Sequence, residues 1–270
     1  MNEYSYSGLI REHYRKEAEL YGKDASSTMR DETTRGREVA EILRALQWLG
    51  ATGAAVDRLL DVGCGNGFLL EQLRDRFPAT DLTGLEYTPE LVQVARERGI
   101  SECPIVEGDV RQLPFESEAF DLVVTERCII NVMDTADQER SFAEVARVLT
   151  PGGHFICIEA FTDGLQQLNE AREQLGLPPN EMAYHNLWFD KDWFLDVVGR
   201  SFDVVEADSA DPNAPATPNF LSSHYFMSRV VYPAVTRTDI VYNSHFVKFF
   251  SFLPPMGNYS PIQFWLLRKR

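Results

Sequence analysis

The stretch RLLDVGCGNG, residues 58–67, decides the fold of this chain of 270 residues. Its first six residues form an apolar, β-rich run that predicts a buried strand. Gly63, Gly65 and Gly67 then alternate with other residues at the point where the chain has to turn into a helical stretch. Because glycine has no Cβ atom, such a loop lets a ligand lie against the backbone at the carboxyl edge of a sheet. The stretch therefore predicts a ligand-binding loop in an open α/β fold.

The chain continues beyond this loop as β-rich runs that alternate with helical stretches. Thr88 is a plausible N-cap in front of Pro89, and Pro151-Gly152-Gly153 ends another helical stretch. We predict strands buried on both faces at 58–63, 81–86, 104–108, 120–125 and 154–160, with helices at 67–76, 89–98 and 136–149. This alternation predicts βαβ units in a parallel sheet.

Two further strands, 202–208 and 261–269, are predicted after helices at 162–176 and 190–200. The segment between these strands, 209–260, is too long for a hairpin turn and is predicted to be an insertion. It is rich in Phe and Tyr, which need a surface to bury against. A lid over a substrate pocket is the favoured role, and core packing or contact in a homodimer are the alternatives.

The glycine loop differs from the dinucleotide-binding pattern G-x-G-x-x-G, whose third glycine would fall at position 68. Phe68 stands there, and the acidic Asp61 precedes the loop. A carboxylate would repel a pyrophosphate but suits a cationic ligand. S-adenosyl-L-methionine carries an ammonium and a sulfonium and no phosphate, whereas NAD carries a pyrophosphate. An NAD-dependent oxidoreductase is therefore disfavoured.

LLDVGCGNG resembles the nucleotide loop of the class I S-adenosylmethionine-dependent methyltransferases. Four segments over residues 58–160 follow that family's order, including VEGDVRQLPF and the helix-to-strand turn RVLTPGGHF. The resemblance implies a Rossmann-like, seven-stranded methyltransferase sheet in a single domain. The core would be 51–208 and 261–270, with an N-terminal helical cap at 1–50 and the insertion at 209–260 as the lid.

The resemblance also implies a set of cofactor contacts. Glu86 fits the carboxylate that accepts both ribose hydroxyls, Asp109 fits the aspartate that takes the adenine amino group, and Val110 fits the residue that meets the ring. Helical caps of the family often cover the cofactor, which makes Tyr21, Thr28, Met29 and Arg30 candidates. The predicted cofactor-binding residues are Asp61, Gly63, Cys64, Gly65, Gly67, Glu86, Tyr87, Asp109, Val110, Glu126 and Met29.

Catalytic candidates are sought on loops at the carboxyl ends of the fourth and fifth strands, because these loops surround the methyl group. His185 is the preferred general base, with Glu126 and Glu159 as further candidates, although a histidine packed in an aromatic loop is an equally ordinary interpretation. Predicted substrate-binding residues are Arg127, Asn131, Tyr184, Asn186, His224 and His245. Arg11, Arg30, Arg37 and Arg229 could each receive a carboxylate or phosphate, and none is preferred.

The net charge and composition of the chain limit the kinds of partner and location that we expect for it. The net charge of -15 disfavours nucleic acid. The first 20 residues lack the apolar core of a signal peptide, so export is not expected, and no apolar run is long enough to predict a membrane span. Four widely spaced cysteines without a CxxC pair indicate neither zinc nor disulfides, so no metal is expected and the protein is expected in the cytoplasm.

These observations predict methyl transfer to a small organic acceptor. Oxygen is favoured as the accepting atom because His185 is available. N- or C-methylation of a natural product or a sugar remains the alternative, together with a non-catalytic partner protein that binds the cofactor.

Overall fold

The computed structural model describes residues 3–24, 27, 29–206, 211, 213–215, 218–251 and 253–270, with the side chains of residues 3–7 set aside. The helices are α1 (Glu3–Tyr21), α2 (Glu32–Ala51), α3 (Phe68–Arg76), α4 (Pro89–Glu97), α5 (Thr135–Val148), α6 (Thr162–Gln174), α7 (Lys191–Val198), α8 (Ser222–Phe226), α9 (Tyr232–Thr236) and α10 (His245–Phe250). The strands are β1 (Arg58–Val62), β2 (Asp81–Glu86), β3 (Ile105–Glu107), β4 (Phe120–Glu126), β5 (Leu149–Ala160), β6 (Phe202–Val204) and β7 (Ile262–Lys269).

The seven strands form one sheet in the order β3-β2-β1-β4-β5-β7-β6. The first five are parallel to their neighbours, and β7 runs antiparallel to both β5 and β6. Strand order therefore reverses between β1 and β4, which is where open α/β sheets bind ligands. The predicted Rossmann-like α/β fold is confirmed.

Side chains alternate between the two faces of the sheet along each central strand. On β1, Leu59 packs into a cluster with α2 and α3, and Leu60 packs into a second cluster with α5 and α7. On β4, Leu122 packs into the first of these clusters and Val123 packs into the second. Because both faces are covered by helices, the central strands read as continuous apolar runs in the sequence.

Several predicted boundaries need correction at the edges of the sheet. β3 is shorter than 104–108, and Val106 and Glu107 are not buried because this strand lies at one edge. β6 at the other edge ends at Val204 rather than continuing to 208, and residues 207–208 lie outside the described residues. The N-terminal region forms two helices, joined by a turn whose described residues include 22–24.

The insertion between β6 and β7 is helical in its described residues. Phe220, Leu221 and Tyr225 are buried in the same cluster as the apolar face of α2, so the first aromatic stretch packs into the core. Phe246 and Phe249 on α10 are exposed. A π-helical turn, Met227–Val231, joins α8 to α9.

Candidate functional site

A first cavity of about 740 Å³ lies at the carboxyl ends of β1, β2 and β4. The glycine loop forms one wall through Gly63, Cys64 and Gly65, and the loop after β4 forms another. Helix α1 contributes Ile10 and Tyr14, and helix α2 contributes Arg35. The two N-terminal helices therefore cover the edge of the sheet where the strand order reverses.

The glycine loop turns through left-handed backbone conformations. Gly63 has a φ of 78°, and a Cβ atom there would lie 2.7 Å from the sulfur of Cys128. Gly65 has a φ of 56°, and a Cβ atom there would meet nothing within 4 Å. Gly63 is thus required for packing, whereas Gly65 keeps a strained position open beside the cavity.

Asn66 joins the glycine loop to the turn after α1. Its Nδ2 donates to the carbonyl oxygens of Gly22 at 3.0 Å and Asp24 at 2.9 Å, and its Oδ1 accepts from the amide of Phe68. The side chain is almost fully buried. The loop and the N-terminal helices are therefore held together at this edge.

Glu86 at the end of β2 is fixed by backbone amides. Its Oε2 accepts from Gly65 at 3.0 Å and its Oε1 accepts from Thr88 at 2.8 Å. Burial raises the pKa of Glu86, and these amides oppose that rise. Since a carboxylate has about four acceptor positions, Glu86 can still accept hydrogen bonds from a ligand in the first cavity.

Asp109, after β3, lines the first cavity together with Val110. Its carboxylate accepts from Arg111, with Nη2 at 2.7 Å from Oδ2. Asp137 accepts from the same guanidinium at 3.0 Å. Asp109 is thus held by an ion pair, and any ligand hydrogen bond would use its remaining lone pairs.

A second cavity of about 560 Å³ adjoins the first. Tyr14 and Arg127 line both cavities, so these two side chains stand where the cavities meet. The hydroxyl of Tyr14 donates to Oδ1 of Asn131 at 3.2 Å, and burial raises the pKa of this phenol. Residues of the insertion, Tyr225, Arg229, Ile240 and Tyr242, line the second cavity as well.

Arg127 occupies an unusual backbone position at the end of β4. Its φ is 51°, in the left-handed region that a non-glycine residue rarely adopts. Its guanidinium forms a buried ion pair with Glu38 of α2. Strained residues of this kind concentrate at functional sites, which agrees with the place of Arg127 between the cavities.

Comparison with known proteins agrees with this geometry. The sequence profile described as a methyltransferase domain matches residues 60–157. The malonyl-[acyl-carrier protein] O-methyltransferase of Geobacter sulfurreducens is 30% identical over 189 residues, which are 67% of this chain and 69% of that protein. The chain belongs to the class I S-adenosylmethionine-dependent methyltransferases.

Other relatives of the family match over less of their length. The demethylmenaquinone methyltransferase of Deinococcus radiodurans is 34% identical over 105 residues, 38% of this chain and 42% of that protein. The chain thus spans less than half of that relative's length. Among solved structures, a chain in the complex between the Haloferax volcanii Trm112 methyltransferase activator and a methyltransferase shares the fold, with a TM-score of 0.52, 20% identity and coverage of 87% of this chain and 95% of that one.

The residues around the first cavity fit the family's cofactor, S-adenosyl-L-methionine. Asp61 Oδ2, Glu126 Oε1 and Arg35 Nε are buried and have no hydrogen-bond partner among the described residues. Burial and the nearby charge of Glu126 hold the pKa of Asp61 well above its usual range. Unpaired acidic oxygens beside one unpaired guanidinium nitrogen match a ligand that carries an ammonium, a sulfonium and one carboxylate.

Most of the predicted cofactor residues line the first cavity: Gly63, Cys64, Gly65, Glu86, Tyr87, Asp109, Val110 and Glu126. Asp61 and Gly67 lie behind its wall and are not among the lining residues. Met29 lines the second cavity instead of the first, because the turn that carries it faces the insertion. Of the other cap candidates, Thr28 lies outside the described residues.

The three catalytic candidates occupy different environments. Glu126 lines the first cavity and His185 lines the second. Glu159 lines neither cavity, because it is fully buried and its carboxylate accepts from the amides of Cys128 and Ile129 at 3.1 Å. Burial raises the pKa of Glu159 to about 7. The structure therefore gives Glu159 the role of holding the loop after β4.

His185 packs against α1 in the second cavity. Its ring stacks on that of His13 with 4.0 Å between centroids. Burial and the neighbouring His13 lower the pKa of His185 to about 4. At neutral pH the imidazole is therefore uncharged and can accept a proton, but it is a weak base.

The predicted substrate residues also lie in different places, some in one of the two cavities and some outside both. Asn131 lines the first cavity, Asn186 lines the second, and Asn186 Nδ2 donates to Asn131 Oδ1 at 2.8 Å. Tyr184 is exposed and contacts His13. His245 is exposed at the start of α10. The placement of Tyr184 and His245 outside both cavities does not favour substrate contact.

His224 is likewise away from both cavities. It is completely buried, with Nε2 at 2.7 Å from Asp31 Oδ2 and Nδ1 at 2.6 Å from Ser251 Oγ. The order Ser, His, Asp resembles a catalytic triad, but none of the three side chains reaches solvent. The structure instead indicates that His224 ties the insertion to the start of α2.

Sequence reasoning missed Tyr14 and Arg35. Both lie on the N-terminal helices and approach the sheet only in the folded chain, since Tyr14 and its partner Asn131 are 117 positions apart. The available signal is the helical spacing of Ile10, Tyr14 and Ala18, which marks one face of α1 as turned inward.

The described residues contain no group of three or more His, Cys, Asp or Glu side chains that could hold a metal ion. Within the same residues, no helix combines the length and apolar character needed to cross a lipid bilayer.

Proposed function

We propose that this chain transfers a methyl group from S-adenosyl-L-methionine to a small organic acceptor in the second cavity, with oxygen favoured as the accepting atom. The observation that carries the proposal is the pair of residues shared by both cavities, Tyr14 and Arg127. A donor in the first cavity and an acceptor in the second would meet beside these two side chains.

The first cavity would hold the cofactor through residues already fixed by the fold. Glu86 would accept from the ribose hydroxyls, and Asp109 and Val110 would contact the adenine end. Arg35, with a buried Nε that has no partner among the described residues, would bind the carboxylate of the methionine part. Glu126, which lines the first cavity, would supply negative charge near the positive groups.

When bound, the cofactor supplies a methyl group on a positively charged sulfur, which is open to in-line displacement. The protein then has to align the two reactants and exclude water, and effects of this kind account for large rate enhancements in displacement reactions. Helix α1 contributes to both tasks, because Ile10 and Tyr14 cover the first cavity. Tyr14 is itself held in place by Asn131.

Oxygen as the accepting atom rests on His185. A hydroxyl acceptor loses its proton during transfer, and His185 is neutral at pH 7 because its pKa is lowered to about 4. Relatives are named for methylation of demethylmenaquinone and, as O-methyltransferases, of malonyl-[acyl-carrier protein] and fatty acids. These names support an organic acceptor.

Isothermal titration with S-adenosylhomocysteine tests the first half of the proposal. We expect binding to the wild-type protein, no binding of NAD, and at least about tenfold weaker S-adenosylhomocysteine binding in Glu86→Gln. Glu107→Gln is the matched control, since Glu107 pairs with Glu86 in the sheet register but is exposed. NAD binding without S-adenosylhomocysteine binding would contradict the proposal.

Formation of S-adenosylhomocysteine from S-adenosyl-L-methionine and a panel of hydroxylated, amino and carbon-nucleophile acceptors tests the second half. Turnover with hydroxylated compounds is expected. Tight cofactor binding without turnover of any acceptor would favour a non-catalytic partner protein, and turnover confined to amines or carbon nucleophiles would move the accepting atom away from oxygen.

A further inference from the structure

The second cavity has arginine side chains at its junction with the first cavity and beside Asp31. At the junction with the first cavity, Arg127 faces the carboxylates of Glu38 and Glu126. The charge of Arg35 also acts on Glu38, so two guanidiniums face two carboxylates at the junction and their charges balance. Arg229 lines the second cavity but not the first, and its guanidinium pairs with Asp31 at 3.2 Å. The part of the cavity around Arg229 is called the far end.

Arg172 adds a second cation at the far end. It is buried, and its guanidinium donates to the carbonyl oxygens of Pro178 at 2.7 Å and of Arg229. No ion pair of Arg172 occurs among the described residues, and burial together with the charge of Arg229 lowers its pKa. Two buried guanidiniums thus lie close together, and among the described residues only Arg229 pairs with a carboxylate, that of Asp31. Glu181 also lines the cavity, but it is exposed and its charge is screened by solvent.

Arg229 is held in a defined orientation. Its Nη1 donates to Ser228 Oγ at 2.7 Å, and its guanidinium carbon lies 3.5 Å from the ring centroid of Tyr225 and 4.6 Å from that of Tyr242. These contacts fix a planar group that has five N–H donors, of which the described partners use one at Nη1 and one at Nη2. The remaining donors have no hydrogen-bond partner among the described residues.

The local backbone at Arg229 is unusual as well. Arg229 lies in the π-helical turn Met227–Val231 within an otherwise α-helical segment. Such turns are rare and occur frequently at functional sites. Ser228, in the same turn, donates its hydroxyl to the His224 carbonyl oxygen at 2.7 Å.

The carboxylate of Asp31 is itself oriented by hydrogen bonds from other residues. It accepts from His224 Nε2 at 2.7 Å and from the amide of Thr34 at 3.1 Å, and it is the N-cap of α2. The buried chain Ser251, His224, Asp31 therefore positions Arg229 and does not itself reach the cavity.

We propose that Arg229 binds a carboxylate of the acceptor, so that the preferred substrates are small organic acids whose methyl-accepting atom lies at the Tyr14–Arg127 junction. A single negative charge balances the excess at the far end, whereas a phosphate dianion would exceed it. A guanidinium matches a carboxylate through paired hydrogen bonds. This inference rests on the proposed function, because it takes the second cavity as the acceptor site.

Ligand-observed NMR on the protein loaded with S-adenosylhomocysteine tests the proposal with three probes of similar shape: benzoate, benzamide and phenyl phosphate. Benzoate is expected to bind more tightly than both others. Arg229→Gln should weaken benzoate binding about tenfold or more and leave benzamide binding within about twofold. Arg229→Lys, which keeps the charge but not the planar fork, should fall between them.

Arg237→Gln is the matched control, since Arg237 is exposed at the end of α9 and lines neither cavity. The proposal is overturned if benzoate binds wild type no better than benzamide, if phenyl phosphate binds best, or if benzoate binds Arg229→Gln and Arg229→Lys as it binds wild type. Binding of S-adenosylhomocysteine by each variant reports separately on folding and on the first cavity. Failure of the proposed function would appear as an absence of S-adenosylhomocysteine binding.

Discussion

Glu38 of α2 and Arg127 at the end of β4 form a buried ion pair at the junction of the two cavities. The pair joins an N-terminal helix to the strand end that should approach both reactants. Burial raises the pKa of Glu38, and the charge of Arg127 opposes that rise. The packing of the N-terminal helices and the arrangement of the cavity junction therefore depend on each other.

Glu38→Gln should destabilise the protein strongly, because it removes the one carboxylate that forms an ion pair with Arg127 among the described residues. Removing one partner of a buried pair costs about 3–5 kcal/mol in free energy of unfolding, which urea denaturation measures. Glu32→Gln is the control on the same helix: Glu32 lies 3.6 Å from Lys248, but both side chains are exposed. That substitution should cost less than about 1 kcal/mol. Equal losses would contradict the importance of burial at the junction.

Gly65→Val should weaken binding of S-adenosylhomocysteine by at least about tenfold. The side chain would enter the first cavity from a backbone position with a φ of 56°. Gly99→Val provides a matched comparison, since Gly99 has a φ of 67°, a Cβ atom there would also meet nothing within 4 Å, and it lines neither cavity. Both variants should lose similar stability through backbone strain, and titration calorimetry should find weaker binding only in Gly65→Val. Unchanged affinity would remove Gly65 from the cofactor site.

The fold could be predicted because its signals are local. The apolar runs of β1, β2 and β4 and the Thr88-Pro89 start of α4 each lie within a few residues, and the structure has all of them. The edge strand β6 was predicted too long, since an edge strand pairs on one side only and its sequence constrains its end weakly.

The residues of the candidate site also differ in how well local sequence predicts them. Glu86 ends a strand and Asp109 comes shortly after one, so both could be placed at the sheet edge from the motif alone. Arg35 and Tyr14 could not, because their approach to the sheet depends on how two N-terminal helices pack. Glu159 looked catalytic by its place at a strand end, and only the structure reveals the three amides that its carboxylate accepts from.

His185→Gln should lower kcat by about 100-fold or more if His185 is the general base, with little change in S-adenosylhomocysteine affinity. Because the pKa of His185 is about 4, the base is already deprotonated at pH 6. The wild-type rate should therefore rise as the pH passes through about 4, level off by about pH 6, and show no further His185 titration between pH 6 and 8. A kcat that stays within about twofold of wild type in His185→Gln would assign proton removal elsewhere.

Glu159 should make the protein less stable as the pH rises. Its pKa is about 7 in the folded state, against 4.5 for an ordinary Glu, so the folded chain holds a proton that the unfolded chain has released. Stability from this group is complete below the unfolded pKa and is lost as the pH rises from about 4.5 to about 7. The loss amounts to about 3 kcal/mol at one pKa unit per 1.4 kcal/mol.

Glu159→Gln removes that titration while keeping an oxygen that can accept from the loop amides. Relative to wild type, the free energy of unfolding of this variant should therefore increase between pH 4.5 and pH 7.5, as followed by urea denaturation at several pH values. Glu116→Gln is the control, because Glu116 is exposed and should show no such trend. A constant difference between Glu159→Gln and wild type across this range would mean that Glu159 is ionised throughout, stabilised by the amides of residues 128–130.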